Sequence, residues 1–164
     1  MRALGARVHS EGSIYLTGGG TAVLEGWREM TIDIDLKAAP EPAGLFEAIA
    51  ALKDEIDVNV ELASPDDFLP ELPGWRERSR FVARYGALNF FHYDPFAQAL
   101  AKIERGHARD LSDVAAMLER QLIDRETLWR LFQEIEPGLI RFPAVEPASF
   151  RRSVLAICRP PRSV

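Results

Sequence analysis

Three consecutive glycines and a threonine, at residues 18–21, stand between two segments with the residue pattern of β-strands. The second segment carries Asp33 and Asp35 at alternate positions. Because successive side chains of a strand point to opposite faces, these two carboxylates face the same side. Glycines let a backbone approach phosphate groups closely, and carboxylate oxygens bind hard divalent cations. The two features together predict a site for a metal ion and a phosphorylated ligand.

The hydrophobic periodicity predicts an α+β fold: a mixed sheet with flanking helices, followed by a C-terminal helical part. We expect residues 1–93 to form the α/β core and residues 94–164 to form a helical part packed on it. The predicted strands are residues 13–17, 31–37 and 58–62 and a hairpin of 80–84 with 87–93. The predicted helices are residues 21–28, 44–56, 96–105, 109–121, 125–136 and 149–157. Asp94 and Asp124 are the expected N-caps, and Gly106 is expected to separate two helices.

Composition limits the classes of partner. The chain has 164 residues, a formal net charge of −5 and a pI near 5.3, which argues against a generally basic nucleic-acid-binding surface. Local basic clusters are present at Arg76, Arg78, Arg80 and Arg84 and at Arg105 and Arg109. One cysteine excludes an internal disulfide and a cysteine-based zinc site. No apolar run reaches membrane-spanning length and no signal-peptide core is apparent, so we expect no membrane partner and a cytoplasmic location.

The glycine run does not fit the two common phosphate-binding fingerprints. The third glycine of the dinucleotide pattern would fall at Val23, and the Gly-Lys-Ser/Thr ending of the P-loop is absent. Taken alone, the glycines also fit a plain tight loop, and alternating acids also fit the wet face of an edge strand. The combination is more specific, because a strand, a glycine turn, a helix and a second strand bring the glycines and the acids together.

These residues resemble the signature of the nucleotidyltransferase superfamily related to DNA polymerase beta. The resemblance rests on Gly19-Gly20-Thr21-Ala22, on Arg28, and on Thr31-Ile32-Asp33-Ile34-Asp35. It is closest to the branch of the AbiEii-type toxins of type IV toxin–antitoxin systems. It implies that Gly19, Gly20 and Thr21 approach the nucleotide phosphates, with Arg28 adding positive charge. It also implies that Asp33 and Asp35 bind Mg²⁺. The superfamily commonly has Gly-Ser where this chain has Gly20-Thr21, which keeps the hydroxyl.

A third carboxylate often completes such a site on a later strand. Glu61 is the best candidate here, because it alternates with Val60 and Leu62 in the predicted strand. Its competing interpretation is a solvated strand residue. Asp57 and Asp66 are weaker substitutes, better explained by a helix end and a turn.

A second motif lies at residues 102–113, with the sequence KIERGHARDLSD. One interpretation is two charged helix faces joined at a glycine, with acids near a helix N-terminus. The AbiEii-like proteins carry a similar lysine followed by a basic stretch and Arg/Lys-Asp-x-x-Asp. That resemblance implies that Lys102 contacts phosphate or assists catalysis and that Asp110 orients or activates within the site. It leaves Asp113 as a structural partner, for example of Arg109.

The resulting hypothesis is a Mg²⁺-dependent nucleotidyltransferase that transfers a nucleoside monophosphate from a nucleoside triphosphate. Resemblance to the toxins implies an RNA acceptor such as tRNA and an antitoxin protein as partner. Nucleotidylation of a protein is the enzymatic alternative. A catalytically inactive nucleotide-binding or interaction module of the same fold is the non-enzymatic one.

Overall fold

The structure, a computed structural model, describes residues 1–56 and 59–159. The chain divides into two compact units. The first unit comprises residues 1–64 and 76–94, and the second comprises residues 65–75 and 95–164. Within the described residues, no helix has the length and the apolar character needed to cross a membrane.

The first unit is a five-stranded mixed sheet with helices, as the α+β prediction requires. Its strand order is β3-β2-β1-β5-β4, with antiparallel β1–β2 and β4–β5 pairs and parallel β1–β5 and β2–β3 pairs. The strands are β1 (Gly12–Leu16), β2 (Asp33–Ala38), β3 (Asn59–Leu62), β4 (Arg80–Tyr85) and β5 (Leu88–His92). The helices are α1 (Arg2–Arg7), α2 (Gly18–Leu24) and α3 (Leu45–Ile56), and α4 (Trp75–Arg78) begins at the unit boundary.

The register places one hydrophobic cluster on a single face of the sheet. Ile14 pairs with Phe90, and both are buried in a hydrophobic cluster that includes Leu36 and residues of α1 and α3. Because side chains alternate along a strand, Asp33 and Asp35 face the side opposite to Leu36. Packing of the apolar face therefore fixes which way the two carboxylates point.

Most element ends lie within a residue or two of the sequence prediction; the starts of α2 and β2 differ in ways that bear on the site, and the start of β3 cannot be compared. Helix α2 begins at Gly18, so the glycines form its first turn rather than a separate turn before it. Strand β2 begins at Asp33, and Ile32, expected on the apolar face, lies before the strand with 73% of its surface exposed. Strand β3 is described from Asn59, so its predicted start at residue 58 lies outside the described residues.

The second unit is helical. Its helices are α5 (Pro95–Arg105), α6 (Ala108–Glu119), α7 (Arg125–Ile135) and α8 (Pro147–Cys158), with short 3-10 segments at Pro65–Asp67 and Glu136–Arg141. The predicted N-cap of α7 is confirmed, because the Asp124 carboxylate accepts a hydrogen bond from the Thr127 amide at 2.7 Å. Gly106 separates α5 from α6 with a φ of +67°, a conformation that favours glycine.

Candidate active site

The end of β1, the start of α2 and the middle of β2 meet at Asp35. The Thr17 amide donates to the Asp35 carbonyl at 2.9 Å, which continues the β1–β2 pairing to the residue just before the glycine segment. Gly18 has a φ of +55°, and a Cβ built on it would lie 2.6 Å from Asp35 Oδ2. A glycine is therefore favoured at position 18 by its backbone conformation, and a side chain there would also require the Asp35 carboxylate to move.

Gly19 is packed against the loop that leads into β2. A Cβ on Gly19 would overlap the Thr31 hydroxyl and lie 3.0 Å from Thr31 Cβ and 3.5 Å from Arg28 Nη1. Thr31 Oγ1 in turn donates to the Asp33 carbonyl at 2.9 Å. These contacts gather the predicted residues Gly19, Arg28 and Asp33 around Thr31, a residue to which the sequence prediction gave no separate role.

Alanine substitutions at Gly19 and Gly20 should have different effects on stability. We expect Gly19→Ala to destabilise the protein by about 1–3 kcal/mol, because the new methyl group collides with Thr31. Gly20→Ala meets only Ile34 Cγ2, at 3.8 Å, and should be neutral or stabilising by up to about 1 kcal/mol. The free energy of unfolding in urea measures both. Equal effects of the two substitutions would contradict the packing described for Gly19.

The Thr21 hydroxyl has a partner inside the first unit. Thr21 is 3% exposed, and its Oγ1 donates to the Leu16 carbonyl at 3.0 Å. His92 Nδ1 lies 3.4 Å from the same oxygen, and His92 Nε2 lies 3.0 Å from Glu25 Oε1. Arg80 also pairs with Glu25. The resemblance assigned the Thr21 hydroxyl to phosphate. In the structure this hydroxyl joins α2 to the sheet through its hydrogen bond to the Leu16 carbonyl.

His92 should make stability depend on pH. Burial lowers the pKa of His92, Arg80 lowers it further, and Glu25 opposes the shift. The unfolded chain therefore binds the proton near pH 6.5, whereas the folded chain binds it only at lower pH. We expect the free energy of unfolding to fall as the pH drops below about 6.5, until the folded pKa is passed. Urea unfolding at pH 7.5, 6.5 and 5.5 measures this loss.

Two histidine variants make the test specific. His92→Gln should flatten the pH dependence between pH 7.5 and 5.5, since it removes the group whose pKa is lower in the folded state than in the unfolded one. His9→Gln, at an exposed position, should leave the dependence as it is in the unmodified chain. Parallel curves for the unmodified chain and the His92 variant would contradict the assignment.

Glu61 lies opposite Asp35 on the neighbouring strand. The parallel β2–β3 register pairs Asp35 with Glu61 and Asp33 with Asn59. The Asn59 amide nitrogen donates to Asp33 Oδ1 at 3.0 Å and to Glu61 Oε1 at 2.8 Å. Asn59, which the sequence prediction did not select, therefore bridges two of the three predicted carboxylates and screens their mutual repulsion.

These contacts do not bring Asp33, Asp35 and Glu61 together as a three-carboxylate metal site in the described part of the chain. Among residues 1–56 and 59–159, no group of three or more His, Cys, Asp or Glu side chains is arranged to hold a metal ion. Of the weaker substitutes for Glu61, Asp57 lies outside the described residues, and Asp66 lies in a 3-10 segment of the second unit. The donor set that remains is the pair Asp33 and Asp35. That pair suits Mg²⁺, which commonly takes one or two carboxylates and completes its shell with substrate phosphates and water.

Lys102 and Asp110 form an ion cluster within the second unit. Lys102 is 4% exposed, and its Nζ donates to Asp113 Oδ2 at 2.6 Å and lies 3.6 Å from Asp110 Oδ1. Arg105 donates to both oxygens of Asp110, at 3.1 and 2.8 Å. The expected partner of Asp113 was Arg109, whereas the ion pair described here joins Asp113 to Lys102. These bonds tie α5 to α6.

The first unit thus defines an α+β protein in which a glycine-rich helix start packs against the strand carboxylate of Asp35. Comparison with family models is more specific, because residues 6–141 match the family described as "Nucleotidyltransferase of unknown function (DUF6036)". The chain belongs to this family, and the match indicates a nucleotidyltransferase domain. Neither a curated protein nor a solved structure matches the chain.

Proposed function

We propose that the protein is a Mg²⁺-dependent nucleotidyltransferase that transfers a nucleoside monophosphate from a nucleoside triphosphate to an acceptor hydroxyl. The observation that carries the proposal is the junction of Gly18 with Asp35 in a chain of a nucleotidyltransferase family. Gly18 has a φ of +55°, which residues with a side chain rarely adopt, and the Asp35 carboxylate lies beside its bare Cα. A phosphate bound at the glycine segment and a cation bound by Asp35 would therefore lie next to each other.

The glycine backbone and a nearby cation are the proposed phosphate-binding groups. The first N–H groups of a helix have no acceptor within that helix, which leaves the amides of Gly19 and Gly20 suited to phosphate oxygens. Arg28, whose Nη1 is 3.5 Å from the Cβ position of Gly19, supplies positive charge. In the reaction the acceptor oxygen attacks the α-phosphorus of the triphosphate. The bond between the α-phosphorus and the oxygen that bridges it to the β-phosphorus breaks, and pyrophosphate leaves. The proton of the acceptor hydroxyl passes to solvent.

Asp33 and Asp35 would hold Mg²⁺ through their carboxylate oxygens. When bound, the ion neutralises phosphate charge and lowers the pKa of an attacking hydroxyl. Asp35 is also fixed through its backbone, since its carbonyl accepts from the Thr17 amide. Asp33 is held on the same face by the Thr31 and Asn59 contacts. Glu61 is proposed as an accessory carboxylate that engages once the Asn59 amide is displaced.

The resemblance also assigns Lys102 and Asp110 to the reaction, and this assignment stays a prediction. The charge of Lys102 is already compensated by Asp113 at 2.6 Å and by Asp110 at 3.6 Å. A lysine neutralised in this way is a weaker phosphate ligand than an uncompensated one. The proposed reaction therefore rests on the residues of the first unit.

An RNA 3′ end is the proposed acceptor, on the strength of the resemblance to the AbiEii-type toxins. Within the first unit, three arginines of the predicted basic cluster have carboxylate partners: Arg78 with Asp94, Arg80 with Glu25 and Arg84 with Glu11. Internal pairing reduces the positive charge available to a long polyanion. It favours an acceptor that brings few phosphates, such as a single tRNA end. A cognate antitoxin belongs to the same proposal, and co-expression with the product of the neighbouring gene tests it.

Nucleotide binding is the first experiment. The melting temperature of the protein is measured with each nucleoside triphosphate, with and without Mg²⁺. We expect one or more of the triphosphates to raise the melting temperature only when Mg²⁺ is present, since binding to the folded state alone stabilises it. The absence of any Mg²⁺-dependent rise would favour an inactive interaction module.

Transfer of label identifies the acceptor. The protein is incubated with α-labelled triphosphates and Mg²⁺, first with total RNA and then with a protein extract. Label in RNA supports the proposal, and label in protein alone replaces the RNA acceptor by protein nucleotidylation. Binding without label in either fraction would contradict turnover.

A further inference from the structure

Helix α2 is attached to the sheet at its far end as well as at its start. The residue that caps its C-terminus is Glu25, whose side chain is 18% exposed. The Glu25 carboxylate lies 3.0 Å from His92 Nε2, at the end of β5, and it also pairs with Arg80, the first residue of β4. His92 and Arg80 are register partners in the sheet. Two neighbouring strands therefore hold one carboxylate at the end of the helix.

The proton of the His92 ring lies toward Glu25. Burial lowers the pKa of His92, so the ring is neutral at pH 7.5 and carries one N–H group. Both groups beside the ring accept, because the Thr21 hydroxyl gives its proton to the Leu16 carbonyl and the Glu25 carboxylate has none to give. The ring lies closer to Glu25, at 3.0 Å, than to Thr21 Oγ1, at 3.4 Å. The Nε2–H tautomer, which donates to Glu25, is therefore the one that fits.

The two attachments of α2 lie one helical turn apart. Thr21 and Glu25 are four residues apart, so they lie on the same face of the helix. With a rise of about 1.5 Å per residue, Glu25 lies about 6 Å beyond Thr21, and Gly18 lies about 4.5 Å before it. A helix held only at Thr21 could tilt about that residue. A tilt of about 10° would move Gly18 by roughly 0.8 Å relative to Asp35.

We propose that Glu25 is a positioning residue which, through His92, holds the glycine segment (residues 18–20) in register with the Asp35 carboxylate. This role rests on the proposed function, in which the phosphate and the metal ion meet at that junction. A misplacement of about 1 Å in such a site can cost about 10²-fold in rate. Glu25 stands at the opposite end of α2 from the glycines, so it acts through the helix and not on the nucleotide.

Three glutamate variants test the effect on transfer. Glu25→Ala removes the attachment at the end of α2 and should lower kcat for label transfer, at saturating triphosphate and Mg²⁺, by about 10- to 10²-fold. Glu25→Gln keeps an oxygen that accepts from His92 Nε2 and should retain at least about one third of the rate. Glu55→Ala breaks the Arg7–Glu55 ion pair of the same unit and should keep the full rate. A full rate in Glu25→Ala, or equal losses in both Glu25 variants, overturns the proposal.

Backbone amide exchange gives a readout that needs no activity. The Thr17 amide donates to the Asp35 carbonyl, so its exchange reports local opening of the junction. The Ala39 amide donates to the Ser13 carbonyl at the other end of the same strand pair and is the internal reference. Glu25→Ala should speed exchange at Thr17 by about tenfold or more relative to Ala39. Equal acceleration of both amides indicates a general loss of stability and overturns the proposal. If the unmodified protein transfers no label, the proposed function fails, and the exchange ratio still decides whether Glu25 holds the junction.

Discussion

Asp35→Asn is expected to reduce nucleotidyl transfer by about 10³-fold or more while leaving the protein folded. Asp33 and Asp35 are the two principal ligands of the proposed metal site, so losing one of them removes several kcal/mol of charge stabilisation, and each 1.4 kcal/mol corresponds to tenfold in rate. Asparagine keeps the shape of the side chain packed against Gly18, so the packing at the β1–α2 junction is retained. The initial rate of label transfer at saturating triphosphate and Mg²⁺ measures the effect.

Matched variants distinguish the loss of a metal ligand from the loss of a negative charge elsewhere on the protein. Asp33→Asn should show the same deficit, because it removes the second of the paired carboxylates. Asp54→Asn changes an exposed acid on α3 and should retain the full rate. Glu61→Gln should fall between them if Glu61 engages the site and match Asp54→Asn if it does not. A full rate in Asp35→Asn, with the unmodified melting temperature, would contradict the proposed chemistry.

The sheet could be predicted from the sequence because its strands alternate and its hairpin carries a glycine turn. β4 and β5 meet at Gly86, which has a φ of +58°, close to the predicted bounds of both strands. The predicted start of α2, at residue 21 rather than Gly18, was wrong for a physical reason. Glycine has low helix propensity, but the first turn of a helix tolerates it, and here Asp35 and Thr31 occupy the space that side chains would fill.

The bridge made by Asn59 could not be predicted. It depends on the parallel register of β2 with β3, two strands separated by α3 in the chain, and one residue of slip would turn Asn59 to the other face. The burial of Lys102 could not be predicted for a similar reason. Charge at helical spacing predicts a solvated face, whereas the turn at Gly106 folds α6 back on α5 and buries Lys102 with Asp113.

Asp113→Ala is expected to destabilise the second unit by about 3–5 kcal/mol, because it removes the closest partner of a buried lysine. Asp113 is 3% exposed, and it accepts from Lys102 Nζ at 2.6 Å. Asp110 lies farther from the ammonium group, at 3.6 Å, and already accepts two hydrogen bonds from Arg105, so it compensates incompletely. A loss of this size corresponds to a fall in melting temperature of roughly 6–20 °C, measurable by calorimetry.

An exposed ion pair on α7 serves as the control for the buried Lys102–Asp113 pair. Glu134→Ala breaks the exposed Arg130–Glu134 pair on α7 and should cost less than about 1 kcal/mol, since such pairs contribute little in water. A cost for Asp113→Ala no larger than that of Glu134→Ala would contradict the burial of the cluster.

The double variant Lys102→Met/Asp113→Leu decides between a structural and a catalytic role for Lys102. Replacing both members of a buried ion pair by apolar residues of similar size is often neutral or stabilising, so most of the stability lost in Asp113→Ala should return. If label transfer is also retained, Lys102 acts by joining α5 to α6. If stability returns and transfer falls by 10²-fold or more, the lysine takes part in the reaction as the resemblance implies, because its loss then affects the rate without affecting the fold.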